Sequence, residues 1–118
     1  MADAVDTVQA KLSLAVESQR RGIPLISCMG TGNKLDPTLF RVSDITKTSV
    51  CPLCRVMRRE LKVRGISHLK VVWSPEQPIK PNKTAEVTSR RALPGSISFV
   101  PPVAGMIMAG EIIKDLIK

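Results

Sequence analysis

Aromatic residues are scarce in this chain of 118 residues, which contains Trp73, Phe40 and Phe99 and no tyrosine. A platform of aromatic rings for stacking nucleic-acid bases is therefore not expected. The core must be built from aliphatic side chains, which suits a sheet covered by helices. A chain of this length has room for a single domain, which we expect to cover residues 1–118.

Cysteine and histidine are also few, with three cysteines and one histidine in the whole chain. Three cysteines are too few for a disulfide framework, and Met1-Ala2-Asp3 lacks the basic and apolar regions that begin a signal peptide. The longest apolar stretch, residues 97–110, is interrupted by Pro101 and Pro102. It falls short of the ~20 residues that cross a bilayer. We therefore expect a cytoplasmic protein without a transmembrane segment.

Basic residues outnumber acidic residues by 18 to 10, which gives a net charge of +8. Such a charge attracts phosphate-rich partners such as RNA. A solvated basic surface explains the same composition equally well. The candidate nucleic-acid contacts lie on one helix face and in a Pro-rich basic crossover over residues 74–94, and they are Arg55, Arg58, Arg59, Lys62, Arg90 and Arg91.

Helical and extended patterns alternate along the chain and predict an α/β layered fold with a mostly parallel sheet and flanking helices. We predict three helices. The first begins near Val5, with Asp6 and Gln9 as a capping pair, and ends at Gly22. The second extends from Pro52 to Gly65, and the third covers residues 103–117. The predicted strands cover 23–28, 40–43 and 69–73, and residues 97–100 are either a brief strand or an extended lead-in to the last helix.

The sequence Cys51-Pro52-Leu53-Cys54 places two thiols at the start of a helix, where the backbone dipole lowers a thiol pKa. A redox pair of the thioredoxin type would require a strand that leads directly into the motif, and residues 46–49 do not have that pattern. A structural zinc site requires four ligands; Cys28, Cys51, Cys54 and His68 are the candidates, and the chain has no second C-x-x-C, so zinc is disfavoured. We favour a packing role, in which Cys51 caps the helix and Cys54 packs beside it.

Two further segments carry possible chemistry. Gly30-Thr31-Gly32 lacks the third glycine of a phosphate loop and is better explained as a turn, although Lys34 could contact a phosphate from there. Asp3 and Asp6 precede the first helix, where carboxylates either cap amides or hold a magnesium ion. No local pattern decides between these two roles. We expect the only histidine, His68, at the surface.

Three segments together resemble the ThiF/MoeB/HesA superfamily of adenylating proteins, and within it the tRNA threonylcarbamoyladenosine dehydratase branch. The first is residues 3–11, with the pattern of a strand end that leads into a helix. The second extends from Ile23 through the glycine turn and Asp36-Pro37 to Thr48. The third combines residues 71–76 with residues 95–109. The resemblance covers nearly the whole chain and implies a partial Rossmann-like fold.

The resemblance implies that the parent enzyme uses ATP to adenylate a carboxylate on a tRNA and then cyclises it. It implies a catalytic and cofactor-binding role for Asp6 beside magnesium and the triphosphate, and a cofactor-binding role for Lys11. The upstream G-x-G-x-x-G loop of that superfamily is not found in the chain. We therefore expect a C-terminal part that is inactive alone and binds no cofactor tightly. It is either a fragment of a longer chain or a split remnant, for which a separate N-terminal half is a possible partner.

Two other expectations accompany this resemblance. The superfamily is commonly dimeric, and a partial sheet exposes an edge, so we expect a homodimer or other self-association. Relatives often have Asp-Pro-Leu where this chain has Cys51-Pro52-Leu53, so no family role is carried to Cys51. The alternative interpretations are a fragment of an enzyme that activates a sulfur-carrier protein, and a non-catalytic module that binds RNA.

Overall fold

A computed structural model of the chain describes residues 1–32, 34–77 and 98–118. Within these ranges it contains four strands and three α-helices. In chain order they are β1 (Ala2–Asp3), α1 (Val8–Arg21), β2 (Ile26–Cys28), β3 (Arg41–Asp44), α2 (Pro52–Val63), β4 (Lys70–Trp73) and α3 (Val100–Leu116). Short 3₁₀ turns at Pro37–Leu39 and Ile45–Lys47 flank β3.

The four strands form one sheet in the order β1-β2-β4-β3. β2 is parallel to both β1 and β4, with Ile26 opposite Ala2 on one side and Lys70 on the other. β3 is antiparallel to β4 and lies at the opposite edge from β1. The prediction of a mostly parallel α/β sheet is confirmed, and the carboxyl ends of β1, β2 and β4 meet at one edge.

Helices cover both faces of the sheet. One core joins α1 and α2 to the sheet through Leu12, Met57 and Val71, each at most 2% exposed. On the other face, Ala104 and Met108 of α3 pack on Ile26 and Val72. No helix in the described ranges is both long enough and apolar enough to span a membrane.

The residues at the helix ends explain why these helix boundaries were predicted correctly from the sequence. Gly22 adopts φ +65° after α1, and its amide donates to the carbonyl of Gln19. Gly65 likewise has φ +74° after α2, which begins at Pro52. Such left-handed positions favour glycine because it has no Cβ, and proline suits a first helical turn. The ends of α1 and α2 and the start of α2 could therefore be predicted from the sequence.

Three predictions at element boundaries are wrong. α1 begins at Val8, and Thr7 occupies its N-cap without a side-chain hydrogen bond, so Asp6 and Gln9 form no capping pair. The stretch preceding α3 is neither a strand nor an extended lead-in, because Ser98 and Phe99 form a turn and Val100 already begins the helix. Pro101 and Pro102 fit the first turn of that helix, where their missing amides cost nothing.

Candidate functional site

A crevice of about 710 Å³ lies outside the carboxyl ends of β1, β2 and β4. Its wall combines the segment after β1, the glycine turn after β2 and the first turns of α2 and α3. In an open α/β sheet this is the position where ligands bind. The crevice is therefore the candidate site of this chain.

The amino-terminal ends of three helices border this crevice. Residues 4–6 lead into α1, Cys51-Pro52-Leu53 begins α2, and Pro101 lies in the first turn of α3, and all of them line the cavity. The first amides of a helix lack intrahelical partners and carry a partial positive charge. Their convergence makes the crevice suitable for an anionic group such as a phosphate.

A buried ion pair fixes the wall of the crevice at the end of β1. Nζ of Lys11 lies 3.4 Å from Oδ1 of Asp3, and both side chains are at most 1% exposed. The same ammonium donates to the carbonyl oxygen of Cys28 at 2.5 Å. Asp3 also accepts hydrogen bonds from the Ser27 hydroxyl at 2.6 Å and from the Val5 amide at 3.1 Å. The network joins β1, α1 and β2.

Two side chains connect the turn after β2 to the segment after β4. The buried ammonium of Lys34 donates to the carbonyl oxygens of Gly30 at 2.9 Å and Ser74 at 3.4 Å. The Glu76 carboxylate accepts from the backbone amides of Leu35 and Asp36 at 2.8 and 3.0 Å. These contacts hold the turn after β2, part of which lines the crevice, against the segment after β4.

The two predicted cofactor residues occupy different environments in the crevice. Asp6 is exposed and lines the cavity, and no hydrogen bond within the described residues engages its carboxylate. Lys11 lines the same cavity, but its ammonium is held by Asp3 and Cys28. The structure thus brings both residues to one crevice. Their cofactor roles stay predictions.

No family profile matches the chain. It is 41% identical to tRNA threonylcarbamoyladenosine dehydratase of Bacillus subtilis, over 98% of this chain and 50% of that protein. Its fold superposes on E. coli tRNA N6-threonylcarbamoyladenosine dehydratase in complex with AMP, with a TM-score of 0.82 and 27% identity. The overlay covers 98% of this chain and 47% of the other.

The chain belongs to the tRNA threonylcarbamoyladenosine dehydratase family. The E. coli dehydratase in complex with ATP gives a similar overlay, with a TM-score of 0.81. This chain spans about half the length of the relatives that it matches. The resemblance of the sequence to this dehydratase family, and the partial Rossmann-like fold inferred from it, are confirmed.

A pair of thiols lies at the start of α2. Cys51 occupies the N-cap position but forms no regular capping hydrogen bond, and Cys54 lies one helical turn later, fully buried. The Cys54 thiol, which donates to the Cys51 sulfur, lowers the pKa of Cys51, while burial opposes that shift. The same hydrogen bond raises the pKa of Cys54. The two thiols are therefore chemically unequal.

The basic residues proposed for nucleic-acid binding in this dehydratase relative fall into three sets. Arg55, Arg59 and Lys62 are exposed on α2, and they border a second cavity of about 510 Å³. Arg58 is partly buried and donates from its guanidinium to both the carbonyl and hydroxyl oxygens of Thr48. Arg90 and Arg91, like most of the predicted crossover over 74–94, lie outside the described residues.

Other polar residues have structural explanations. His68 is at the surface, as predicted, with Nδ1 3.3 Å from Oδ2 of Asp44. In the part of the chain that the structure describes, no three His, Cys, Asp or Glu side chains converge as a metal site.

Sequence reasoning missed the partners of Asp3, Lys34 and Glu76. The contacts of Glu76 with residues 35 and 36 span 40 residues or more of sequence, so no local pattern encodes them. The buried Asp3 could have been suspected from its position at a strand end, since a carboxylate there faces the first turn of the next helix.

Proposed function

We propose that this chain is the carboxyl-terminal part of an ATP-dependent, cytoplasmic, tRNA-modifying dehydratase. In the intact enzyme, the carboxylate of a threonylcarbamoyl group on a tRNA adenosine would be activated by ATP and then cyclised with loss of AMP. The observation that carries the proposal is the crevice where three helix amino termini meet Asp6. The family relation and the neighbours solved with AMP and ATP support the choice of ligand.

The residues of the crevice fit a nucleotide with magnesium. Asp6 presents an exposed carboxylate beside the helix ends, and magnesium prefers one or two carboxylates together with phosphate oxygens and waters. Bound magnesium would neutralise phosphate charge on the ATP. Asp3 and Lys11 would act differently, because their network positions the segment that carries Asp6.

A chimera tests this proposal, with this chain replacing the matching half of the Bacillus subtilis dehydratase. Product formation from ATP and threonylcarbamoyl-modified tRNA is followed by mass spectrometry of the nucleosides. We expect activity from the chimera and none from the chain alone. Absence of product from a folded chimera that still binds ATP would refute the proposed reaction.

The same chimera tests the assignment of Asp6. Asp6→Asn keeps the size of the side chain but removes its charge, and we expect product formation to fall by about tenfold or more. Glu17→Gln is the matched control, since Glu17 pairs with Arg20 and Arg21 at the far end of α1. Equal activity of the two variants would contradict the assignment of Asp6 to the site.

We further propose that the exposed face formed by Arg55, Arg59 and Lys62 contacts the tRNA backbone. Nucleic-acid affinity from phosphate contacts falls with salt, with a slope of about 0.7–0.9 per contact on logarithmic axes. Replacing all three residues by Gln should lower that slope by about 2–3. The control replaces Arg20, Arg21 and Lys114, which are exposed elsewhere. Salt-independent binding, or equal slopes for both triple variants, would contradict the proposal.

A third proposal is that the isolated chain self-associates and that the intact protein is a homodimer. β1 is a short edge strand, and α3 exposes Met106 and Leu116 to 74% and 78%. Exposed strand edges and apolar patches favour association. Light scattering should give a mass above that of one chain at high concentration. A monomeric mass at every concentration would contradict this.

A further inference from the structure

Cys51 is the N-cap residue of α2, and Cys54 lies in the first turn of that helix. Cys51 and Cys28 line the cavity directly. A methyl group added at Gly30 would lie 3.8 Å from the Cys51 sulfur, so this sulfur faces the glycine turn after β2. Cys54 has no exposed surface. One thiol of the pair therefore borders the crevice and the other lies behind it.

The spacing of the pair permits a disulfide. Helix geometry places Cα atoms three residues apart about 5 Å from each other, and the Cα atoms of disulfide-linked cysteines are usually about 4.4–6.8 Å apart. The two sulfurs lie close enough for each thiol to shift the pKa of the other.

Charged and polar neighbours favour a thiolate at Cys51. Besides the Cys54 thiol, these are the amides of Cys54 and Gly30 and the ammonium of Lys34. Cys28 is the third thiol of the group, and burial raises its pKa, although Lys11 and Lys34 oppose that effect. Nucleophilic attack by a cysteine proceeds through the thiolate. Cys51 is thus the expected nucleophile and Cys28 is not.

We propose that Cys51 and Cys54 are a redox-active dithiol at the crevice, with Cys51 attacking a hydroperoxide and Cys54 resolving the product. The Cys51 thiolate attacks one peroxide oxygen, the O–O bond breaks, and the leaving oxygen takes a proton to become water or an alcohol. Once Cys51 is a neutral sulfenic acid, the interaction with the Cys51 thiolate that raises the pKa of Cys54 is gone. Cys54 then attacks the sulfenic sulfur as a thiolate, the S–S bond forms, and the S–O bond breaks; the departing hydroxide takes the proton of the Cys54 thiol and leaves as water. Two thiols are oxidised and one peroxide is reduced.

The small exposed area of Cys51 limits the size of the oxidant that can reach its sulfur. The residue is 2% exposed, so only a small molecule entering through the crevice can reach it. Oxidation replaces a thiolate by a neutral disulfide beside Lys34. The anion-binding crevice therefore becomes one charge less negative in the oxidised form.

Hydrogen peroxide titration of the complete chain tests the proposal. Thiols that remain are alkylated, and the disulfide is located by mass spectrometry of peptides. We expect an intramolecular Cys51–Cys54 bond, forming at least about tenfold faster than oxidation of Cys28. A bond that includes Cys28, or preferential oxidation of Cys28, would overturn the proposal.

Variants test the two roles separately. In Cys54→Ser the resolving thiol is absent, so dimedone should trap a sulfenic acid at Cys51; Cys54→Ala provides a second variant if the serine is not tolerated in the core. Cys28→Ser should form the same disulfide as the original chain. Absence of a dimedone adduct in a folded Cys54 variant would contradict the role of Cys51. None of these readouts depends on ATP or tRNA, so failure of the proposed dehydratase function leaves this test intact.

Discussion

Ion pairs connect helices to the sheet at both ends of the parallel strands. At the carboxyl end, Asp3 of β1 and Lys11 of α1 form a pair that is at most 1% exposed. At the amino end, Nζ of Lys70 in β4 lies 3.0 Å from Oε2 of Glu111 and 2.9 Å from Oδ2 of Asp115, both in α3. All three of these side chains are partly or largely exposed.

The surroundings of these pairs determine how much each contributes. Asp3 and Lys11 each have further hydrogen bonds from or to buried neighbours, so removal of either partner leaves a charge without water. The groups around Lys70 can be solvated instead, and exposed ion pairs contribute little. Breaking the ion pair at the crevice therefore destabilises the fold strongly, whereas the ion pairs at the other end of the sheet contribute little to stability.

The largest expected effect comes from Lys11→Met, which leaves the Asp3 carboxylate buried without its cation. Removing one partner of a buried pair typically costs about 3–5 kcal/mol. We expect a loss of that size in the free energy of unfolding, measured with urea. Lys114→Met, at an exposed position on α3, should change it by less than about 0.5 kcal/mol. A loss below about 1 kcal/mol for Lys11→Met would show that the pair is not stabilising.

A smaller effect is expected from Ser27→Ala. The substitution removes the hydroxyl that donates to Asp3 at 2.6 Å but leaves the Lys11 pair in place. Hydrogen bonds to charged groups contribute about 1.5–3 kcal/mol, so the loss should fall in that range. Ser13→Ala, at an exposed position on α1, is the control. In the double variant with Lys11→Met, the two losses should not add, because both residues contact Asp3.

The smallest effect is expected from Lys70→Met, and it should depend on pH and salt. Hydrogen bonds from Lys70 lower the pKa values of Glu111 and Asp115 from 4.5 and 3.8. A lowered carboxyl pKa stabilises the fold above those values, and the contribution disappears as the pH falls through the lowered pKa. The stability difference between the original chain and Lys70→Met should therefore vanish in acid and shrink in concentrated salt. A difference that persists in acid would indicate lost packing instead.

Local sequence patterns predicted the helices whose ends are marked by residues such as proline and glycine. α2 combines a proline at its first position, an apolar stripe through Met57 and Leu61, and a left-handed glycine at residue 65. β1 carried no comparable signal, because two residues are too few for an alternating pattern. The turn before α3 was predicted as a strand or an extended lead-in because its short apolar run preceded two prolines, which in fact lie in the first helical turn.

The site was predictable only where a residue is identified by its neighbours in sequence. Asp6 could be proposed from the pattern of residues 3–11, and it does line the crevice. The partial engagement of Lys11 by Asp3 and Cys28 could not be predicted, because it depends on how β1 and β2 pair. Arg58 resembled its basic neighbours in sequence, yet its bonds to Thr48 give it a different role.

The contacts of Lys34 and Glu76 have a kinetic and entropic consequence for whatever enters the crevice. These two side chains hold the turn after β2 against the segment after β4. A ligand that binds beside this turn loses its own translational and rotational freedom, but the contacts within the chain already order this part of the protein. Association there should therefore resemble a lock-and-key encounter, with rates set by diffusion and orientation instead of loop rearrangement.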